Sequence, residues 1–145
     1  MEDLEHHSRS AEIQTKKFAD LSPFQVAKMY AIRYNVFVKE QRSIFNEHDG
    51  HDFEATHLFI EDGDKIVAYA RVYRENETSA VLGRVAVDPE YRRQELGRRI
   101  VGQVIDTAKS MNGITQINIG AQEYLQQFYE SFGFKSSKIL SIISG

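Results

Sequence analysis

The stretch that decides the fold is Val85-Ala86-Val87-Asp88-Pro89-Glu90-Tyr91-Arg92-Arg93-Gln94-Glu95-Leu96-Gly97. The β-branched residues Val85 and Val87 predict the last residues of a strand, and Pro89 marks a turn. Apolar residues at helical spacing begin at Leu96 and predict a helix. The first N–H groups of a helix have no intrahelical acceptor and, with the helix dipole, attract anions. Arg92 and Arg93 add donors suited to phosphate. The stretch predicts a site for a diphosphate-bearing ligand; the alternative is an ordinary strand–turn–helix with a basic, solvated surface.

Composition predicts one globular domain. The chain has 145 residues, of which 41% are hydrophobic and 27% charged, and its net charge of −3 gives no reason to expect nucleic acid. Cysteine is absent, which excludes disulfides, a cysteine nucleophile and cysteine–metal sites, and agrees with a cytoplasmic location. No apolar run is long enough to span a membrane. We expect residues 1–10 to be a disordered leader or tag remnant, and residues 11–145 to form the domain.

Local patterns predict an alternation of strands and helices. Ser22-Pro23-Phe24-Gln25 is typical of a helix start with a capping box, and apolar residues at helical spacing carry that helix to about Phe37. Asp62-Gly63 predicts a hairpin turn. The remaining predictions are strands at 13–18, 57–60, 65–74, 80–87, 114–119 and 139–143, a helix from Leu96 to near Gly113, and a helix bearing Leu125, Phe128, Tyr129 and Phe132 that Gly133 ends.

The predicted order is strand, helix, a three-strand antiparallel meander, helix, strand, helix, strand. The strand–helix–strand unit that ends at Ile119 is a right-handed crossover, which places two strands parallel. Joining a meander to such a unit gives an α+β fold: a mixed, mostly antiparallel sheet with helices on its faces.

At this level of detail the sequence resembles the GNAT superfamily of acyl-coenzyme A-dependent N-acetyltransferases, and within it the ElaA-like subgroup. The motifs that carry the resemblance are Arg84-Val85-Ala86-Val87, Arg92-Arg93-Gln94-Glu95-Leu96-Gly97, Phe128-Tyr129-Glu130-Ser131-Phe132-Gly133-Phe134, Arg33-Tyr34-Asn35-Val36-Phe37-Val38-Lys39-Glu40-Gln41, the Asp49/Asp52/His57 spacing and Gly120-Ala121-Gln122. Single motifs of this kind are weak, but several in order and at matching spacing are a strong signal.

The resemblance implies acetyl-coenzyme A as cosubstrate. Asp49, Asp52 and His57 could also form a metal cluster, but their spacing matches no strong metal signature, so we expect no metal. In the family the fourth and fifth strands splay apart, and the pantetheine arm lies between them. The implied binding positions are Val85, Ala86 and Val87 on the fourth strand, the loop residues Arg92, Arg93, Gln94, Glu95, Leu96, Gly97 and Arg98 for the pyrophosphate, and Gln122 for the pantetheine.

The chain departs from the family pattern at two places. Glu95 stands where the loop usually has glycine, which permits close approach of backbone to phosphate. After Phe134 the family usually has two more strands, whereas residues 135–145 suffice for one. We expect a shortened sheet whose last strand lies beside the fifth strand or pairs with a second molecule, as in a homodimer.

Two residues are candidates for catalysis. Tyr129 matches the family's tyrosine that can protonate the leaving thiolate; as part of an apolar stripe, it could also be a core aromatic. Glu40, two residues after the apolar run Val36–Val38, is the candidate general base, and Glu47, Asp49 and Asp52 are further carboxylates. An acid-rich segment of this kind could equally be solvated surface.

Arg33, His57 and Arg71 are candidates for binding the acceptor. The arginines could hold an acceptor carboxylate or be exposed charges, and His57 could be a base, a substrate contact or a histidine at the edge of the core. The predicted function is transfer of an acetyl group to a primary amine of a small molecule or peptide by direct attack. The alternative is a noncatalytic acyl-coenzyme A-binding sensor on the same fold.

Overall fold

The computed structural model describes residues 12–40, 50–119, 126–134 and 140–143. Its strands are β1 (Gln14–Lys17), β2 (Thr56–Asp62), β3 (Lys65–Arg74), β4 (Ser79–Val87), β5 (Gln116–Ile119) and β6 (Leu140–Ile143). Its α-helices are α1 (Pro23–Arg33), α2 (Leu96–Lys109) and α3 (Gln126–Glu130). A π-helix spans Tyr34–Glu40, and 3₁₀ turns span Phe18–Asp20, His51–Phe53 and Pro89–Gln94.

The six strands form one mixed sheet in the order of the sequence. β1 to β4 are antiparallel neighbours, β5 lies parallel to β4, and β6 lies antiparallel to β5. This confirms the predicted meander and crossover. β4 pairs with β5 from Ser79 to Leu82 and then continues to Val87 without a β5 partner among the described residues. The four residues of β5 are all paired with the first half of β4.

Helix α1 begins as the sequence predicts and ends differently. Ser22 Oγ accepts from the backbone N–H of Gln25, and Gln25 Oε1 accepts from the N–H of Ser22, each at 3.0 Å, which completes the capping box. The prediction of an α-helix to about Phe37 is wrong in its last turns, because the α-helix ends at Arg33 and a π-helix follows. Val36 and Phe37 of this π-helix are buried against the sheet.

Two apolar clusters cover the two faces of the sheet. Helix α2 packs its apolar stripe on one face; the residues of that stripe are Leu96, Ile100, Val101, Val104, Ile105 and Ala108. Tyr129 and Phe134 belong to the same cluster, whereas Met29 and Ile32 of α1 pack on the other face. Burial of each large aliphatic side chain contributes roughly 1.5–3 kcal/mol to the stability of the fold. The apolar contacts therefore hold α2 on one face of the sheet and α1 on the other.

A bulge in each of two central strands changes which residues share a face. In β3 the pairing with β2 shifts at Val67, so that Val67 and Ala68 both face the α2 cluster. In β4 the pairing with β3 shifts beside Arg84, whose φ of 55° is left-handed. Leu82 consequently faces the α2 cluster, while Ala86 faces α1. Such bulges redirect side chains near functional sites.

The last strand lies beside the fifth, as the sequence predicts. β6 pairs with β5 from Ile143 opposite Gln116 to Leu140 opposite Ile119. Pairing with a second molecule stays a prediction. Within the described ranges, no helix has the length and apolar character to cross a membrane.

Candidate active site

The start of helix α2 has the geometry of an anion site. Asp88 begins the preceding 3₁₀ turn and accepts from Glu90 N at 2.9 Å. Glu95 precedes the helix, but its side chain makes no capping hydrogen bond. The first helical bond is donated by Arg99 N to Glu95 O at 3.2 Å. The N–H groups of residues 96–98 precede that bond and lie at the positive end of the helix dipole.

Glu95 has a backbone conformation that glycine adopts more easily. Its φ of 62° and ψ of 20° are left-handed, which crowds the Cβ atom of any other residue. Its side chain is 75% exposed, and Oε1 lies 4.0 Å from Arg98 Nε. The glycine usual at this position of the family therefore has a local reason besides close approach to phosphate, namely the turn into the helix.

The loop arginines are arranged differently from one another. Arg92 Nε donates to Val87 O at 3.1 Å, on the strand that precedes the loop. Arg98 Nη2 donates to Ser131 Oγ at 2.7 Å, and its guanidinium lies 4.9 Å from the ring centroid of Phe132. The Arg98 side chain thus joins α2 to the segment after α3. Because the guanidinium is engaged there, only the backbone amide of Arg98 is expected to contribute to the anion site. The side chains of Arg93 and Gln94 lie outside the described part.

Three elements meet at Gly97. A Cβ atom placed there would lie 3.6 Å from Val87 Cγ2 and 3.9 Å from Phe128 Cζ. The beginning of α2 therefore lies between the end of β4 and helix α3. Val85 and Val87 are half-buried against the α2 cluster, and Ala86 is buried on the other face.

Tyr129 is buried in the same region. Its ring is 1% exposed and makes edge contacts with Phe128 and Phe134, with centroid distances of 5.0 and 6.1 Å. These contacts fix the ring in place next to the Phe128 side chain that approaches Gly97. Its role as a proton donor stays a prediction.

A buried polar cluster lies on the opposite face of the sheet, beneath α1. We call it the Asp52 cluster; its members are Tyr30, Arg33, Asp52, His57, Tyr69 and Arg71. Asp52 Oδ1 accepts from Nη1 of both arginines, at 2.8 Å from Arg33 and 2.9 Å from Arg71. Asp52 Oδ2 accepts from the Tyr30 hydroxyl at 3.0 Å. One carboxylate thereby joins the 3₁₀ turn His51–Phe53 to α1 and β3.

The geometry assigns the protons of His57. Its Nε2 lies 2.9 Å from the carbonyl oxygen of Asp52, which can only accept, so Nε2 carries the proton. Its Nδ1 lies 2.6 Å from the Tyr69 hydroxyl and accepts from it. Arg33 Nη1 in turn donates to the Tyr69 oxygen at 3.4 Å. The neutral imidazole is thus held at both nitrogens.

Burial and charge shift the ionisation within the cluster. Burial alone raises the pKa of Asp52, but the hydrogen bonds and positive charges of Arg33 and Arg71 outweigh burial and hold this pKa below its usual range. Burial is also the main reason why the pKa of His57 is lowered, although the Asp52 carbonyl and carboxylate oppose the shift. Burial raises the pKa of Tyr69 as well. The cluster is therefore built for an ionised Asp52 and a neutral His57.

The three predicted acceptor-binding residues are brought together, but inside the protein. Arg33, His57 and Arg71 are 0%, 0% and 3% exposed. The interpretation of the two arginines as exposed charges is wrong. The alternative that Asp52 belongs to a solvated surface is also wrong, because Asp52 is buried. The geometry assigns Arg33, His57 and Arg71 to holding the chain around Asp52.

Tyr30 and Tyr69 are members that the sequence interpretation missed. Alternation along β3 places Tyr69 and Arg71 on one face, and this period of two was the signal available in the sequence.

Several predicted residues lie outside the described part of the chain. They are Glu47, Asp49 and Gln122, together with the side chain of Glu40, whose backbone ends the π-helix. Within the described ranges there is no group of three or more His, Asp or Glu side chains that could hold a metal ion.

Comparison with known proteins places this arrangement in a family. Residues 19–139 match the acetyltransferase (GNAT) domain. The UPF0039 protein C11D3.02c of Schizosaccharomyces pombe is 36% identical over 126 residues, which cover 86% of this chain and 84% of that protein. Protein ElaA of Escherichia coli is 32% identical over 127 residues, covering 85% and 83% of the two chains.

Solved structures agree in fold. The crystal structure of Escherichia coli ElaA has a TM-score of 0.80 at 27% identity, covering 93% of this chain and 99% of that one. An acyl-CoA N-acyltransferase from Pseudomonas aeruginosa has a TM-score of 0.81 at 26% identity, covering 94% and 100%. A GNAT acetyltransferase from Brucella melitensis, described in complex with acetyl-CoA, shares the fold with a TM-score of 0.72 at 15% identity, covering 92% and 89%. The chain therefore belongs to the GNAT acetyltransferase family, in its ElaA-like subgroup.

Proposed function

We propose that the protein is an N-acetyltransferase that transfers the acetyl group of acetyl-coenzyme A to a primary amine of a small molecule or peptide. The observation that carries the proposal is the meeting, around Gly97, of the end of β4, the beginning of α2 and helix α3. This arrangement joins an anion site to a strand edge and to the predicted catalytic tyrosine.

The chain offers suitable groups for each part of the cosubstrate. The N–H groups of residues 96–98 would hold the pyrophosphate at the helix N-terminus. Arg92 of the 3₁₀ turn is exposed, donates to Val87 O at the end of β4 and adds positive charge there. Beyond Leu82, β4 has an edge without a β5 partner among the described residues, and extended ligands bind such edges through backbone hydrogen bonds.

Direct transfer needs a neutral amine and a protonated leaving group. Acetyl-coenzyme A supplies an activated thioester. The Tyr129 hydroxyl donates its proton to the sulfur as the C–S bond breaks. Glu40 takes the proton that the amine releases as the new C–N bond forms. The proposed roles thus account for both protons and need no covalent enzyme intermediate.

The Asp52 cluster supports the acceptor side without touching the acceptor. It ties the segment around Asp52 to α1 and β3, and this segment directly follows the stretch containing Glu47 and Asp49. We therefore assign Arg33, His57 and Arg71 to positioning that side of the site.

Two measurements test the proposed function. Titration calorimetry should show saturable binding of acetyl-coenzyme A, with a rise in melting temperature as the ligand is added. A panel of primary amines should then release free coenzyme A thiol, detected with a thiol reagent. Absence of heat and of a melting shift at millimolar ligand would refute the cosubstrate. Binding without thiol release from any amine would favour the noncatalytic sensor.

A further inference from the structure

The loop between β4 and α2 is fastened to the turn of the β2–β3 hairpin. Four side chains make this connection, which we call the loop clamp: Asp62, Lys65, Asp88 and Tyr91. Asp62 ends β2 and Lys65 begins β3, and the two are paired across the turn. Gly63, with a φ of 66°, makes the tight turn between them. Asp88 and Tyr91 belong to the loop that leads into the anion site.

Two hydrogen bonds span the clamp. The Tyr91 hydroxyl donates to Asp62 Oδ2 at 2.5 Å, and Lys65 Nζ donates to Asp88 Oδ2 at 3.1 Å. Lys65 Nζ also lies 5.8 Å from the ring centroid of Tyr91. The bond to Asp62 is the main reason why the pKa of Tyr91 is raised to about 12, so the hydroxyl keeps its proton over the physiological range. Each of the two residues that flank the hairpin turn, Asp62 and Lys65, therefore holds one residue of the loop.

Backbone contacts make the same loop segment rigid. Asp88 N donates to Val67 O at 2.9 Å, and Tyr91 N donates to Asp88 O at 2.8 Å. The Tyr91 ring packs against the α2 cluster, and Pro89 restricts the chain between the two clamp residues. The loop is thus fixed at its beginning, just before the residues that turn into the helix.

We propose that the loop clamp positions the backbone amides that bind the pyrophosphate of acetyl-coenzyme A, so that Asp62 and Tyr91 are positioning residues for the cosubstrate. This inference rests on the proposed function. An anion site made of backbone amides depends on how well those amides are held before the ligand arrives, because ordering them on binding would cost affinity. The clamp holds the loop through Asp62 and Lys65, which belong to the β2–β3 hairpin and not to the loop itself.

The test is a double-mutant cycle read by calorimetry with coenzyme A. Tyr91→Phe removes the hydroxyl and keeps the ring, and Asp62→Ala removes the acceptor. We expect each variant to weaken coenzyme A binding by about 10-fold, and the double variant to bind about as weakly as either single one. In turnover, the KM for acetyl-coenzyme A should rise while kcat and the KM for the amine stay unchanged. Tyr73→Phe, at the opposite end of β3, is the matched control and should leave coenzyme A affinity unchanged.

Each outcome bears on a different statement. If the unaltered protein binds coenzyme A but Tyr91→Phe binds it equally well, the clamp inference is overturned and the proposed function stands. A lower melting temperature with unchanged affinity also overturns it, because the contact would then serve stability alone. If the unaltered protein shows no binding, both statements fail. Should Asp62→Ala not fold, Lys65→Met breaks the other bond of the clamp and is expected to weaken binding in the same way.

Discussion

Arg33 Nη1 and Asp52 Oδ1 lie 2.8 Å apart, with the arginine side chain 0% exposed and that of the aspartate 4% exposed. This buried pair joins helix α1 to the segment that leads into β2. Separating such charges inside a protein costs far more than separating a surface pair, because the remaining charge keeps its desolvation penalty. The conformation of residues 50–55 therefore depends on Asp52 being ionised.

The first prediction concerns that carboxylate. Asp52→Ala should lower the free energy of unfolding by about 3–5 kcal/mol, because two buried guanidinium groups lose a shared acceptor. Glu61→Ala is the control; Glu61 pairs with Lys28 at 2.6 Å, and both side chains are partly exposed. The control should lose no more than about 1 kcal/mol. Urea unfolding of the variants measures both, and equal losses would contradict the interpretation.

The second prediction is a pH dependence. In the folded protein the pKa of His57 is lowered from its ordinary value of 6.5. Below pH 6.5, His57 therefore takes up a proton more readily in the unfolded chain than in the folded protein. Stability contributed by neutral His57 is thus complete above pH 6.5 and declines as the pH falls towards the folded pKa. The melting temperature should therefore drop less for His57→Gln than for the unaltered protein between pH 7.5 and 5.5.

The third prediction concerns catalysis. Tyr129→Phe keeps the ring and its edge contacts but removes the hydroxyl. It should lower kcat by about 10²-fold while coenzyme A affinity and melting temperature change little. Steady-state turnover with an active amine, together with calorimetry, gives both numbers. Full turnover in a folded Tyr129→Phe variant would show that the tyrosine is a core aromatic.

The fourth prediction separates the two effects of Glu95. Glu95→Gly removes both the charge and the left-handed strain, so coenzyme A should bind about 2- to 5-fold more tightly. The strain relieved is roughly 1–2 kcal/mol, which exceeds the flexibility cost of glycine at about 0.5–1 kcal/mol, so stability should also rise. Glu95→Ala removes the charge alone and should tighten binding without the gain in stability. Unchanged affinity in both variants would show that the carboxylate is harmless.

The fifth prediction concerns Gly97. Alanine at this helical position would make ordinary contacts with Val87 and Phe128 and has the better helix propensity, so Gly97→Ala should fold with unchanged or higher stability. It should nevertheless weaken coenzyme A binding several-fold if the backbone must approach the phosphates closely. Calorimetry measures the coenzyme A affinity of Gly97→Ala, and thermal unfolding measures its stability. The two together decide whether Gly97 serves ligand binding or folding. Gly102→Ala, on the same helix with open space around it, is the control.

Local patterns in the chain determined the elements and their order. The capping box at Ser22, the hairpin signal at Asp62-Gly63 and the apolar stripe of α2 depend on neighbours a few residues apart, so the sequence predicts them directly. The proposed anion site at the start of α2 is predictable for the same reason, since a loop and the helix it enters are contiguous in the chain.

Only the tertiary structure decided how distant residues meet. Regular pairing from Asp62 opposite Lys65 would place His57 opposite Ala70; the bulge at Val67 places it opposite Arg71 instead. That shift of one residue brings Tyr69 and Arg71 to the face where α1 presents Arg33, and it creates the buried cluster around Asp52. A bulge costs little locally and is selected by packing across the whole sheet. The sequence by itself therefore determined the family and the order of the elements and predicts the helix-start site, whereas the pairing of strands and helices decided which charged residues are buried together.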